Sequence, residues 1–268
     1  MSAGSANAPS KYNKIELIKE GKEPIELNAG VVAVDYYESL YSPTVTATVM
    51  FVDAGGNIED EKTGSLKTVK EALPLEGNED LSLKITTKTG ELNFTKSDNQ
   101  FKVNRCPVVS REANRETVLL DLTSKKEKTN DSVPIFDKFK GKISDTVKKI
   151  LTEKLELTQD KIEVDPTENE YAFVGKGKGA LNIIRDLCRR SVPVGGDAGY
   201  FFYQTKSAFK YKAIDELIKQ EPKTKVFYTG ALKSDFETQT EDNDFKIALE
   251  PVFSKDQDVA KALKSGTY

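Results

Sequence analysis

Residues 30–53 read GVVAVDYYESLYSPTVTATVMFVD. Val31, Val32, Ala33 and Val34 open a β-branched run that Tyr36 and Tyr37 extend. Glu38, Ser39, Ser42 and Pro43 punctuate it, and a proline without an N–H suits a turn or a strand edge. From Thr44 to Val52 the pattern has period two. Val45, Ala47, Val49 and Phe51 share one face, and Thr44, Thr46, Thr48 and Met50 share the other. That alternation marks a strand with one apolar and one mostly polar side. Asp53, Ala54, Gly55, Gly56 and Asn57 then stop it. Two strands are not stable alone, so this hairpin needs further strands or a helix on its apolar face. Plain exposure accounts for the threonine face; a wet channel wall or a subunit contact is the sharper alternative. No proton carrier near neutrality lies in the stretch.

Outward from the hairpin, composition narrows the function. The chain has 268 residues, enough for two ordinary domains. It holds no histidine, which removes the commonest general base, metal ligand and pH switch together. Its net charge of -3 argues against strong non-specific attraction to duplex nucleic acid. Cys106 and Cys188 are far apart with no CxxC, which argues against a structural zinc site. They could form one disulfide, but free thiols in a reducing cytosol fit better. The opening MSAGSANAPS lacks the basic start and apolar centre of a secretory leader and reads as a flexible or docking arm. No apolar run approaches the roughly 20 residues that span a bilayer. The expectation is a chain made in a cytoplasm that stays soluble or joins an assembly.

Before the hairpin, residues 12–27 read as strand, Gly21-Lys22 turn and strand. After it, Leu66, Val69 and Leu73 predict one or two helical turns capped by Ser65 and ended by Pro74. Alternation at Leu81, Leu83 and Ile85, at Leu92 and Phe94, at Phe101 and Val103, and over residues 116–122 predicts further strands. About seven strands with short turns point to a small barrel or sandwich. The run KKEKTN at 125–130 then reads as a charged, solvated linker. Val147, Ile150, Leu151 and Leu155 predict an amphipathic helix with Ser144 as N-cap. A second helix carries Ala180, Leu181, Ile183, Ile184, Leu187 and Cys188 inward. An aromatic hairpin follows at 200–211, so this section is α+β.

Chemistry is sparse. The loop Gly175, Lys176, Gly177, Lys178 and Gly179 opens a helix and could hold an anion on free N–H groups, giving a small-ligand or nucleotide-binding alternative. It matches neither GxxxxGK[ST] nor GxGxxG, and a plain strand-to-helix loop explains it as well. Arg185, Arg189 and Arg190 could grip a phosphate or carboxylate, or simply be a solvated helix face. Tyr200, Phe201, Phe202 and Tyr203 could stack bases, but strand aromatics usually pack. A carboxylate pair could serve a glycosidase, yet none is singled out by an apolar setting. The expectation is no catalytic residue, no cofactor, no metal and no enzyme.

Five stretches in this order resemble the central hub protein of contractile, T-even-like phage baseplates. They are VVAVDYYESLYSPTVTATVMFVDAGG at 31–56, LPLEGNEDLSLKI at 73–85, FKGKISDTVKKILTEKL at 139–155, GALNIIRDLCRRS with GYFFYQTKSAFKYKAIDEL at 179–217, and the close from Phe245. The resemblance covers about 240 residues, and its order is more specific than any one motif. It implies a mainly β chain with an α+β part. A flexible arm at 1–12 precedes a tube-forming β-barrel at 13–124, an α+β middle domain at 125–243, and the start of a second tube-type domain at 244–268. It further implies a homotrimeric ring in the virion, assembled in the host cytoplasm, that joins the tail tube or its initiator to the spike among other baseplate proteins. DNA would pass without specific binding, and no membrane would be involved. Thr44, Thr46 and Thr48 then become a tube-wall or subunit-contact face.

Overall fold

The structure, a computed structural model, describes residues 10–55, 58–59, 64, 66–87, 90–112, 115–196 and 199–221. The expected second tube-type segment at 244–268, most of the arm at 1–12 and the Ser65 cap lie outside the described residues. The chain opens with β1 (Lys11–Ile18) and β2 (Ile25–Glu26), then the hairpin β3 (Val31–Tyr37) and β4 (Thr46–Asp53). A short ribbon, β5 (Ile58–Glu59) with β6 (Leu66–Lys67), leads into helix α1 (Val69–Ala72). There Thr68, not Ser65, is the N-cap: its hydroxyl accepts from the Glu71 N–H while Glu71 accepts from the Thr68 N–H. Next come β7 (Asp80–Thr87), β8 (Gly90–Phe94), β9 (Phe101–Arg105), β10 (Val108–Glu112) and β11 (Arg115–Ser124).

Nine of these strands make one sheet, in the order β2-β1-β7-β9-β11-β4-β3, with β8 on β7 and β10 on β11. β9 is the joint. Phe101 pairs with Leu81 on one side and Ser124 on the other. Past that point β7 continues with β8 and β11 with β10, so two wings diverge. Register shifts at Val31/Ala33 and Tyr12/Lys14 add local bends. The sheet curls into a half-barrel, and its end strands β2 and β3 are not paired with each other among the described residues. The period-two face of β4 is the floor of the core: Val45 just before it and Ala47, Val49 and Phe51 on it are each at most 1% exposed. Cross-strand partners Leu122, Leu120 and Val118 on β11 join them. Each large side chain so buried contributes about 1.5–3 kcal/mol.

The second half begins where a solvated linker was expected. Residues 125–132 form helix α2 (Lys125–Ser132), and Asn130 in it is buried. The charge run misleads because tertiary contacts, not apolar periodicity, hold this helix. Glu127 accepts from the Thr44 and Thr123 hydroxyls at 2.6 and 2.5 Å. Then come β12 (Lys138–Lys142), α3 (Ile143–Glu153), β13 (Ile162–Val164), β14 (Glu170–Val174), α4 (Ala180–Cys188), β15 (Tyr200–Gln204), β16 (Phe209–Ala213) and α5 (Ile214–Ile218). The apolar stripes of α3 and α4 pack with β15, β16 and the inner face of the β12–β14 ribbon into a second core. Ser144 is inside α3, not its cap: its N–H donates to the hydroxyl of the buried Thr167 at 3.0 Å. The first-turn donor is satisfied from a distant loop.

Candidate functional site

The sequence singled out one polar strand face, one glycine loop, three arginines and one aromatic cluster. On the outer face of the half-barrel, Thr48 sits between Asp35 of β3 and Asp121 of β11, which in turn faces Arg105 of β9. The Thr48 hydroxyl donates to Asp35 at 3.2 Å, and Arg105 pairs with Asp121 at 3.1 Å. Thr46 is exposed beside the exposed Tyr37. Below this polar row, Met50 lies between Ala33 and Leu119, all half-buried. Thr44 departs from the stripe. It precedes β4, is buried, and spends its hydroxyl on Glu127.

The segment joining β3 to β4 does something the sequence did not announce: it grips the second half of the molecule. The Lys206 N–H and the Tyr36 hydroxyl both donate to Glu38 Oε1 at 2.6 Å. Gln204 Oε1 accepts the Val45 N–H at 3.2 Å. Tyr41 meets Phe201 edge-on with centroids 5.6 Å apart. Burial, and then the Glu38 carboxylate, push the Tyr36 phenol far above its ordinary range. These partners lie more than a hundred residues away in sequence, so no local pattern could reveal them.

The glycine loop is a packing device. A Cβ on Gly175 would stand 2.3 Å from the Ile135 carbonyl oxygen, and one on Gly179 would stand 2.5 Å from Asn130 Oδ1. Three of the loop's backbone donors are taken. Gly175 N–H donates to Asp137 O, Gly177 N–H to Ile135 O and Lys178 N–H to Gly175 O. Asn130 Oδ1 accepts the Leu181 N–H at 2.8 Å at the start of α4. Lys178 is paired with Asp186 at 2.7 Å. These commitments leave fewer donors for an anion than the sequence suggests.

Arg185 and Arg189 are exposed on α4 and its C-cap, while Arg190 lies over the Tyr171 ring at 5.0 Å. Tyr200, Phe202 and Tyr203 are buried, with Tyr200 stacked on Tyr211 at 4.7 Å, so the cluster is core. Burial pushes the Tyr200 phenol and the Cys188 thiol each up to about 12. Both cysteines are free thiols. Among the described residues no group of three or more His, Cys, Asp or Glu could hold a metal ion, and no helix is long and apolar enough to cross a membrane.

No protein-family model matches the chain, and no curated protein matches it by sequence. Some solved structures are similar to it. A tail protein from Neisseria meningitidis shares 9% identity over 83% of this chain and 56% of that one, with a TM-score of 0.47. A prophage tail protein from Listeria monocytogenes shares 10% over 79% and 54%, at 0.46. A component of the Escherichia coli type VI secretion system, described as structurally similar to the T4 bacteriophage tail proteins gp27 and gp5, shares 10% over 85% and 51%, at 0.41. The chain thus spans about half the length of each. At these scores the likeness is one of outline.

Proposed function

We propose that this chain is a structural subunit of a phage-type tail, at the hub of a contractile-tail baseplate. In this reading three copies form a ring that joins the tail tube or its initiator to the central spike. Other baseplate proteins bind around it, and DNA passes through without specific binding. Residues 13–124 supply tube wall, 125–243 a middle domain, and 244–268 the start of a second wall segment. No catalysis is asked of it, in keeping with a chain that has no histidine.

The observation that carries the reading is the open half-barrel. Its concave side is filled by its own core, its outer side bears the Thr46–Thr48 row, and β3 is left as an unpaired end strand among the described residues. An exposed edge is a template for another chain, and wall segments from neighbouring subunits would remove it. The order of the five sequence stretches runs the same way. Cysteines placed at Thr46 and Thr48, in a chain carrying Cys106→Ser, test the face. A bulky polymer-bearing maleimide is expected to label them in dissociated subunits and to be excluded in the assembled ring. Equal labelling in both states would place the row on the outside and remove it from wall or contact.

A further inference from the structure

β12 and β14 form a ribbon of two strands, and no third strand joins it among the described residues. One face is core: Phe139 stacks on Phe173 at 5.1 Å, and Tyr171 stacks on Phe173. The other face presents Lys138, Lys140 and Lys142, all exposed. Alternate residues of a strand lie roughly 6.6–6.8 Å apart on one side, so these three ammonium groups form a ladder. Across the ribbon they meet Val174, Ala172 and Glu170, which is one carboxylate for three cations. Among the described residues none of the three lysines makes an ion pair, whereas neighbouring Lys154 pairs with Asp137 and Lys178 with Asp186.

The molecule holds a completed version of the same arrangement. β16 carries Lys210 and Lys212 at the same alternate spacing, and the strand along its edge is β13. Lys210 pairs with Glu163 at 3.0 Å, and Lys212 pairs with Asp165 at 3.0 Å. A Lys-x-Lys strand is thus answered there by Glu163 on β13 and Asp165 just past its end. β12 has the cations without the answering strand. Gly141, between Lys140 and Lys142, belongs to the opposite face with Phe139, and its φ of +125 is one that glycine adopts without strain.

We propose that the free edge of β12 receives an extended acidic segment of a partner protein, with carboxylates at alternate positions facing Lys138, Lys140 and Lys142. Main-chain pairing would supply affinity and the charge ladder would set register. The proposal stands independently of the tail reading, because it rests on the ribbon alone.

The test is fluorescence anisotropy of the full chain with a labelled peptide containing Glu-Val-Glu-Val-Glu. The comparisons are an isomer with its three glutamates contiguous and a single-stranded oligothymidylate. Expected results are preference for the alternating peptide, about tenfold weaker binding to Lys138→Glu/Lys140→Glu/Lys142→Glu, and unchanged binding to Lys148→Glu on α3. Melting curves check that the variants fold, and Lys140→Glu alone replaces the triple variant if that one does not. Equal binding of the two isomers, retained affinity in the variants, or tighter binding of the oligothymidylate would overturn the proposal. Binding of no probe would overturn it too, and would leave the lysines as protection of an edge strand against pairing.

Discussion

Asn130 shows best how single residues hold this chain together. Its Oδ1 accepts the Leu181 N–H of a helix fifty-one positions downstream and sits where a Cβ on Gly179 would fall. Asn130→Ala removes a buried cap and is expected to cost about 1–2 kcal/mol in urea denaturation, with Asn130→Asp less affected. Nothing in KKEKTN suggested it, because a cap given to a distant helix leaves no local pattern. Thr68 is the opposite case: Thr-x-x-Glu at 68–71 is a capping box legible in the sequence, and it, not Ser65, caps the helix. Burial also predicts alkaline lability. The Cys188 thiol rises from 9.0 to about 12 in the fold, so the unfolded chain loses its proton first. The unfolded state then binds fewer protons, and stability falls with rising pH across the window from 9 to about 12. The buried Tyr200, raised from 10.0 to about 12, adds in the same direction. Melting temperatures that hold constant from pH 8.5 to 11 would contradict this.

At the scale of elements, alternation was legible because burial on one side of a strand writes itself at period two. The faces of β4 can be told apart by mutation. Leu120→Ala, on the β11 residue facing fully buried Val49, is expected to cost about 2–5 kcal/mol, while Thr48→Ala stays within about 0.5 kcal/mol in the isolated subunit. The order of the sheet was not legible, since β9 reaches both β7 and β11 through contacts remote in sequence. Nor was the grip of the β3–β4 segment on the β15–β16 turn. Glu38→Ala removes the shared acceptor for Tyr36 and Lys206 and is expected to lower stability by about 1 kcal/mol. It should also bring the Tyr36 phenol back down, seen as earlier ionisation in ultraviolet titration. An unchanged titration would show that burial alone raises it. The glycine loop has three of its backbone donors committed, and millimolar nucleotide is expected to leave the melting temperature unmoved.

For the whole molecule, the mainly β class with an α+β part could be read from the sequence; a curled sheet left open could not. Openness depends on which strands end without a partner, and single-chain patterning does not state that. It is also what ties the fold to the proposed role, in which other copies would complete a half-barrel whose end strand is unpaired among the described residues. The direct measurement is the native mass of the purified full chain over a range of concentrations. A ring-forming subunit is expected to give a species of three 29.7-kDa chains that grows with concentration. A monomer at every concentration, persisting when the spike protein is added, would contradict it.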